Sequence, residues 1–471
     1  MTGARPRIAL LSVYFSLFDE QMPPAFRAAR AAAAERFAAL LGEQAEIVWS
    51  GLVTDDDEGR AAAPELRAAA PEAIVFAPSM AAPPSYAVHA LAEVAGVPLV
   101  IWNAPGIDRL GGDITQADAT AETTQVGCVM LANALVRAGR RFSTITARPS
   151  DPIAVARLLR VVRAAAAAGA LRGLTALRVG DAIPGYIDVE ASDDQLAALG
   201  VAESAVSVAE LDAAVDAVDA APARELLERL RARPGWRARA AAADADDPAA
   251  LLSARLALAL RALSDERGAG CGTVNCHGCH LRRNPAIGIS ACLGASLLTE
   301  AGVPISCTGD QPTALTMLLA RRLSGRALYC ELYTPEVESG LMLVAAGGEG
   351  DVAWAADGAV ELIPNAHYPG ARGEGTALTF AVERGPATLL SLSPDADGWQ
   401  LAWATGAVVG SRYPRMGGPN AMFRFDAGPS DEAGARWIAS GATHHAALAG
   451  GRLDVELPAL CDALGVRSVR V

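Results

Sequence analysis

The stretch GCGTVNCHGCHLRRNP, residues 270–285, sets Cys271, Cys276 and Cys279 within nine positions and places His277 and His280 among them. Thiolate and imidazole are the donors that soft and borderline metal ions prefer, so these residue types raise metal chemistry first. A C-x4-C-x2-C spacing suits an iron–sulfur cluster, with the remaining iron held by Cys307 or Cys330 or left open to substrate. Zinc held by two of the cysteines and one or two of His277 and His280 is the alternative, although the second half of the usual zinc pattern does not follow. The C-H-G-C-H string at 276–280 also matches covalent haem attachment. That reading fails because such attachment belongs to exported proteins and the sequence carries no convincing export signal. The plain alternative is that these cysteines are small buried hydrophobes. Histidine is scarce, six in all, and four of the six form two pairs, His277/His280 and His444/His445. Scarcity makes pairing informative for ligation or proton transfer, whereas His89 and His367 read as structural.

The elements around these residues are legible from periodicity. Up to about residue 145, short apolar runs (RIALLSVY, AEIVWSG, AIVFAP, PLVIWNA) alternate with alanine-rich helices such as Ala25 to Leu41, which predicts a doubly wound parallel α/β domain. After the polar joint TARPSDP, a helix from Ile153 to Ala170, the strand TALRVGD, helices at 222–232 and 249–264, the strand VPISC, a helix from Pro312 to Leu323 and the strand ALYCELY continue the alternation. From Leu341 the grammar changes to strands separated by Gly, Asp and Pro turns, closed by a helix near Leu457. The expected division is an N-terminal α/β domain at 1–148, a central α/β domain with the cysteine-rich loop at 149–340, and a mostly antiparallel, barrel-like β domain at 341–471.

Composition excludes several function classes. The chain has 471 residues and no lysine, so all 40 basic residues are arginine. Without a side-chain amine there is no Schiff-base catalysis and no phosphate-binding P-loop lysine. A net charge of -13 argues against nucleic acid as a partner. No run of about 20 apolar, uncharged residues qualifies as a membrane span, and the apolar N-terminal run reads as a buried first strand. Eight unevenly spread cysteines do not form a secreted disulfide framework, so a cytoplasmic protein with reduced thiols is expected.

The segment SGATHHAALAGGRLDVELPALCDALGV (440–466) resembles the C-terminal signature of the L-arabinose isomerases and, less closely, the L-fucose isomerases. The likeness extends through CTGDQPTALTMLLARRLSGRALYCELY (307–333), the stretch from TALRVGD to AVSVAEL and the PLVIWNA strand, nearly the whole chain. In that family, two glutamates and two histidines hold a manganese-type ion that polarises a sugar's oxygens while carboxylates move a proton through an enediol. The resemblance places the second glutamate at Glu331 and the terminal histidine at His445, with His444 beside it. It puts Thr308 where the first glutamate stands, and Ala345 or Ala346 in the place of the other histidine. Asp310, Glu338 and Glu349 are the acidic residues available to substitute, and Cys276 and Cys279 are expected near the substrate pocket.

The resemblance therefore implies an isomerase-superfamily enzyme acting on a small hydroxylated, sugar-like or hydroxy-acid substrate. Its catalytic candidates are Glu331, His444, His445 and Asp310. Its metal site, partly lost for manganese, is expected on Cys271, Cys276 and Cys279, alongside Glu331 and His445, as an iron–sulfur cluster or zinc. A conventional manganese-dependent aldose–ketose isomerase and a non-catalytic sugar-binding or assembly protein are the alternatives. A trimeric or hexameric homo-oligomer is implied as well.

Overall fold

The computed structural model describes residues 5–109, 111–277, 281–411 and 416–471. It is an α/β structure that divides into two compact units: one holds the chain up to Leu171 together with Asp454–Val466, the other holds Arg172–Leu453 and Arg467–Val471.

The first unit is built on five parallel strands, β1 (Arg7–Val13), β2 (Glu46–Val53), β3 (Ala73–Phe76), β4 (Leu99–Asn103) and β5 (Ser143–Thr146), in the order β2-β1-β3-β4-β5. Side chains alternate across a strand, so both faces need cover. Ala9, Leu11, Ile74, Phe76 and Ile101 pack on one face with Leu66, Leu131 and Leu135. On the other, Trp102 lies on Phe37 of the helix Ala25–Gly42, ring centroids 4.8 Å apart. The apolar N-terminal run is strand β1, as expected.

The grouping of segments differs from the expected boundaries at 148/149 and 340/341. The helix Pro152–Gly169 belongs with the first sheet: a Cβ at Gly169 would lie 1.8 Å from the Glu72 carbonyl oxygen, so only glycine permits this approach. The last helix, Glu456–Leu464, returns to the same unit, where Arg160 grips Glu456 with two hydrogen bonds of 2.8 and 2.7 Å. Central and C-terminal segments, expected as separate domains, share one unit.

In that second unit four parallel strands, β6 (Leu174–Val179), β7 (Val201–Val206), β9 (Ala269–Val274) and β10 (Ile305–Cys307), run in the order β10-β9-β6-β7. Between them in the chain, β8 (Trp236–Ala238) joins a small sheet with β13 (Val360–Pro364) and β14 (Thr376–Thr379). The remaining strands are β11 (Ala327–Glu336), β12 (Leu341–Ala345), β15 (Gly385–Asp395), β16 (Gly398–Gly410), β17 (Asn420–Phe425) and β18 (His445–Gly450). They pair antiparallel in the order β15-β18-β11-β12-β17-β16, and β16 pairs back to β15, closing a ring. A final strand, β19 (Arg467–Arg470), adds to β16 in parallel. The strand ALYCELY, read from sequence as continuing the parallel alternation, is thus the middle of an antiparallel sheet. Its apolar run is buried on both faces, which hides the period of two that marks such a strand.

The helix Gln311–Ser324 links the two sheets and fixes where β11 begins. Arg321 donates a 2.7 Å hydrogen bond to Asp351, whose carboxylate is fully buried and also accepts from the backbone N–H groups of Ala327 and Ala353. Removing one member of a buried ion pair leaves the other charge without compensation. Arg321→Met is expected to lower the unfolding free energy by about 3–5 kcal/mol, measured by denaturant unfolding.

Candidate functional site

Open parallel sheets present ligand-binding loops beyond the carboxyl ends of their strands, at the point where strand order reverses. Here the reversal falls between β6 and β9, and the residues following β9 and β10 are Cys276, His277, Thr308 and Asp310. They meet the face of the closed sheet that carries Glu331 and His445, which are direct cross-strand partners on β11 and β18. The result is a cavity of about 40 Å³ lined by Cys276, Cys292, Cys307, Glu331, Glu349 and Tyr368, among others. Larger clefts of about 590 to 710 Å³ lie on the first unit, but no histidine lines them.

His445 and Asp310 form the best-ordered pair of the site. His445 Nδ1 lies 2.7 Å from Asp310 Oδ2, both side chains are essentially buried, and His445 Nε2 points toward Glu331 Oε1 at 3.9 Å. Asp310 is held by its own backbone position: its other oxygen caps the helix Gln311–Ser324, accepting from Thr313 N–H at 2.7 Å. Tyr329 packs on the His445 ring, centroids 4.9 Å apart, and its burial raises the phenol pKa well above the usual value. His444 stacks on His445 at 3.8 Å but is partly exposed, and its Nδ1 meets Asp188 Oδ2 at 2.6 Å. Two His–Asp pairs therefore stand side by side, one buried and one open to solvent.

Three thiols converge beside this pair. The neighbouring Cys307 thiol, and the Ala291 N–H that donates to Cys276 Sγ at 3.2 Å, lower the Cys276 pKa against the opposing effect of burial. The Cys276 sulfur beside it, with burial, pushes the Cys307 thiol up. Cys292 lies 3.8 Å from Glu349 Oε2 and accepts from Asn365 Nδ2 at 3.3 Å; burial and the Glu349 charge raise its pKa. Burial, reinforced by Glu331, moves the Glu349 carboxyl up to about 7. On the rim, Arg282 stacks over Tyr368, with its guanidinium carbon 5.4 Å from the ring centroid, and His277 meets the same ring edge-on. Burial and the Arg282 charge lower the His277 pKa.

Glu331, His445, Asp310 and Cys276 are thus brought together, with His444 stacked behind. Cys271 is not. It lies within strand β9 opposite Ala176, fully buried, and burial alone raises its thiol to about 12. The sequence places Cys271 in one cysteine-rich loop with Cys276 and Cys279, because the two glycines of AGCGTV mask the strand; yet a Cβ at Gly272 would crowd the Leu177 carbonyl oxygen at 2.6 Å, a strand-to-strand approach. Cys330 faces the opposite side of β11, in the apolar core. Cys279 and His280 lie outside the described residues. Cys292, Asn365 and Tyr368 are site residues that the reading missed. One signal pointed to the first: six of the eight cysteines fall between 271 and 330.

The manganese ligand set does not fit. Glu331 is flanked across the sheet by His445 on one side and Ala345 on the other, and Thr308 lines the cavity where a carboxylate would be needed. Among the described residues, no group of three or more Cys, His, Asp or Glu side chains is placed to hold a metal ion. Compared with models of known protein families and with curated proteins, the chain matches none.

Proposed function

We propose that this protein is an enzyme of the sugar-isomerase type that moves a proton on a small hydroxylated substrate, a sugar or hydroxy acid, bound over the cavity. The arrangement of strands and the residues quoted from 307–333 and 440–466 support a divergent member of the arabinose/fucose isomerase superfamily. The observation that carries the reading is the buried His445–Asp310 pair aimed at Glu331. A base needs a fixed orientation and hydrogen-bond reach of the proton it takes; Asp310 supplies the first for His445. Glu331, partly exposed at the cavity, is the second group able to accept or return a proton. The sulfurs of Cys276, Cys292 and Cys307 beside them are the donor type that an iron–sulfur or zinc centre would take, and such a centre would supply polarisation of a substrate oxygen.

The test is proton exchange rather than net turnover. Aldoses, ketoses and 2-hydroxy acids are incubated with the protein in D2O, with and without added zinc, iron or manganese, and followed by NMR. Deuterium entering a carbon next to the reacting oxygen, lost in Asp310→Asn, supports the reading. Ligand-induced thermal stabilisation with no exchange anywhere in the panel overturns it in favour of a binding protein.

Arg282 separates the two substrate classes. If the substrate carries a carboxylate, Arg282→Gln raises KM by roughly ten- to a hundredfold, the loss of one charge-assisted hydrogen bond; for a neutral sugar KM stays within about twofold. Steady-state kinetics on the substrate found by exchange decides.

A further inference from the structure

We infer that the Tyr329 hydroxyl is the hydrogen-bond donor that meets the carbonyl oxygen of the substrate and stabilises the negative charge gathering there when the neighbouring carbon loses its proton. This role rests on the proton-transfer reading above, and it supplies from the chain itself a group that polarises a substrate oxygen.

Strand β11 presents two rows of side chains. Leu328 and Cys330 enter the apolar core, so Tyr329 and Glu331 point to the other face. Opposite them on β18 stand Ala447 and His445 respectively. The small side chain of Ala447 leaves the phenol ring free to lean over the imidazole, with ring centroids 4.9 Å apart and planes at 49°. Tyr329 is 2% exposed and lines the cavity together with Glu331.

A phenylalanine would pack on His445 equally well, so the hydroxyl needs a separate reason. A buried Tyr O–H normally has a hydrogen-bond partner. Tyr14, equally buried, donates to Asp19 Oδ1 at 2.7 Å. Among the described residues, Tyr329 Oη has no such partner. Burying a hydroxyl unmet costs about five- to a hundredfold in the folding equilibrium, and a ligand oxygen in the cavity is the partner that offsets the cost. The phenol also keeps its proton: burial, then the charges of Cys307, Glu349, Asp310 and Glu331, push its pKa well above the usual value. It therefore offers an O–H to an oxygen that is becoming negative. In the step, the C–H bond breaks and its proton passes to His445 or Glu331. The electron pair left behind forms the carbon–carbon double bond, and the carbonyl π pair settles on the oxygen that accepts from Tyr329. Tyr329 retains its own proton, so no co-reactant is needed.

The experiment compares the full chain with Tyr329→Phe in the D2O exchange assay, over the same panel of aldoses, ketoses and 2-hydroxy acids. In the variant, kcat for exchange is expected to fall by roughly 100- to 1,000-fold, the loss of one oxyanion donor. KM rises by no more than about tenfold, one neutral hydrogen bond. The thermal midpoint equals or exceeds that of the parent, since no partner within the protein is lost. A kcat within about threefold of the parent's, far short of the loss of an oxyanion donor, overturns the inference: the hydroxyl then serves a resident water only. So does a midpoint lowered by several degrees, which puts the partner inside the protein. Where the parent itself exchanges nothing, the enzymatic reading falls and calorimetric titration decides for Tyr329. The probes are the sugar that stabilises the parent and the alditol made from it by reduction. Sugar binding weakened by roughly two- to tenfold in Tyr329→Phe, with alditol binding unchanged, keeps the hydroxyl at the carbonyl oxygen. Equal affinities in the two proteins, or no panel member bound by the parent, overturn it.

Discussion

Replacing Asp310 by Asn is expected to cut kcat for proton exchange by roughly a hundred- to ten-thousand-fold, the usual contribution of a positioned acid–base group, while barely changing stability. The two roles of Asp310 separate cleanly by atom. One oxygen caps the helix Gln311–Ser324 through Thr313 N–H, and the other faces His445 Nδ1. Asn and Asp cap helices about equally well, so the helix and the start of β11 stay in place. An amide, however, can present its NH2 to the imidazole, favouring the tautomer that puts the proton on the nitrogen facing Glu331. KM should therefore change by less than about threefold, because Asp310 lies behind His445 and away from the substrate. Asp310→Ala loses the cap as well, costing about a further 1 kcal/mol of stability. A kcat for Asp310→Asn within threefold of the parent, with the fold intact, would show that His445 does not move the proton.

Local pattern made much of the architecture legible, and its failures have physical causes. The alternation of IALLSVY, AIVF and LVIWN with alanine-rich helices gives the first parallel sheet because each strand is buried on both faces and bounded by turn residues. The fate of helices 152–169 and 456–464 was not legible, since which sheet a helix covers is decided by contacts such as Gly169 with Glu72 and Arg160 with Glu456. The same holds at the site. His445, Asp310 and Glu331 could be named from their local segments, but the partnership of His445 with Asp310 spans 135 positions. The cysteines show the limit most sharply. Close spacing at 271–279 suggested one loop, whereas strand β9 turns Cys271 away and the chain brings Cys292 and Cys307 from further along. Side-chain direction in a strand reverses at every residue, so spacing alone could not sort one cysteine from the next.

The double variant Thr308→Glu, Ala345→His is expected to bind manganese at least about tenfold more tightly than the parent, about 1.4 kcal/mol. Directly opposed residues of antiparallel strands point to the same face, so the row His445, Glu331, Ala345 across β18, β11 and β12 places any side chain at 345 beside Glu331. A histidine there adds a second imidazole, and a glutamate at 308 adds a second carboxylate from the cavity wall. That completes the hard-donor set that the arabinose-isomerase resemblance implies, which manganese favours over thiolate. The cost falls on folding. Ala345 is fully buried, and inserting an imidazole into a packed position destabilises by about 1–3 kcal/mol. Thr308 already sits at φ +62°, a region unfavourable for a β-branched residue, so glutamate adds no strain there. Calorimetric titration with manganese, alongside thermal unfolding, reads both effects. A folded double variant with unchanged manganese affinity would mean that the metal ligands of the resemblance have been laid on the wrong positions of this chain.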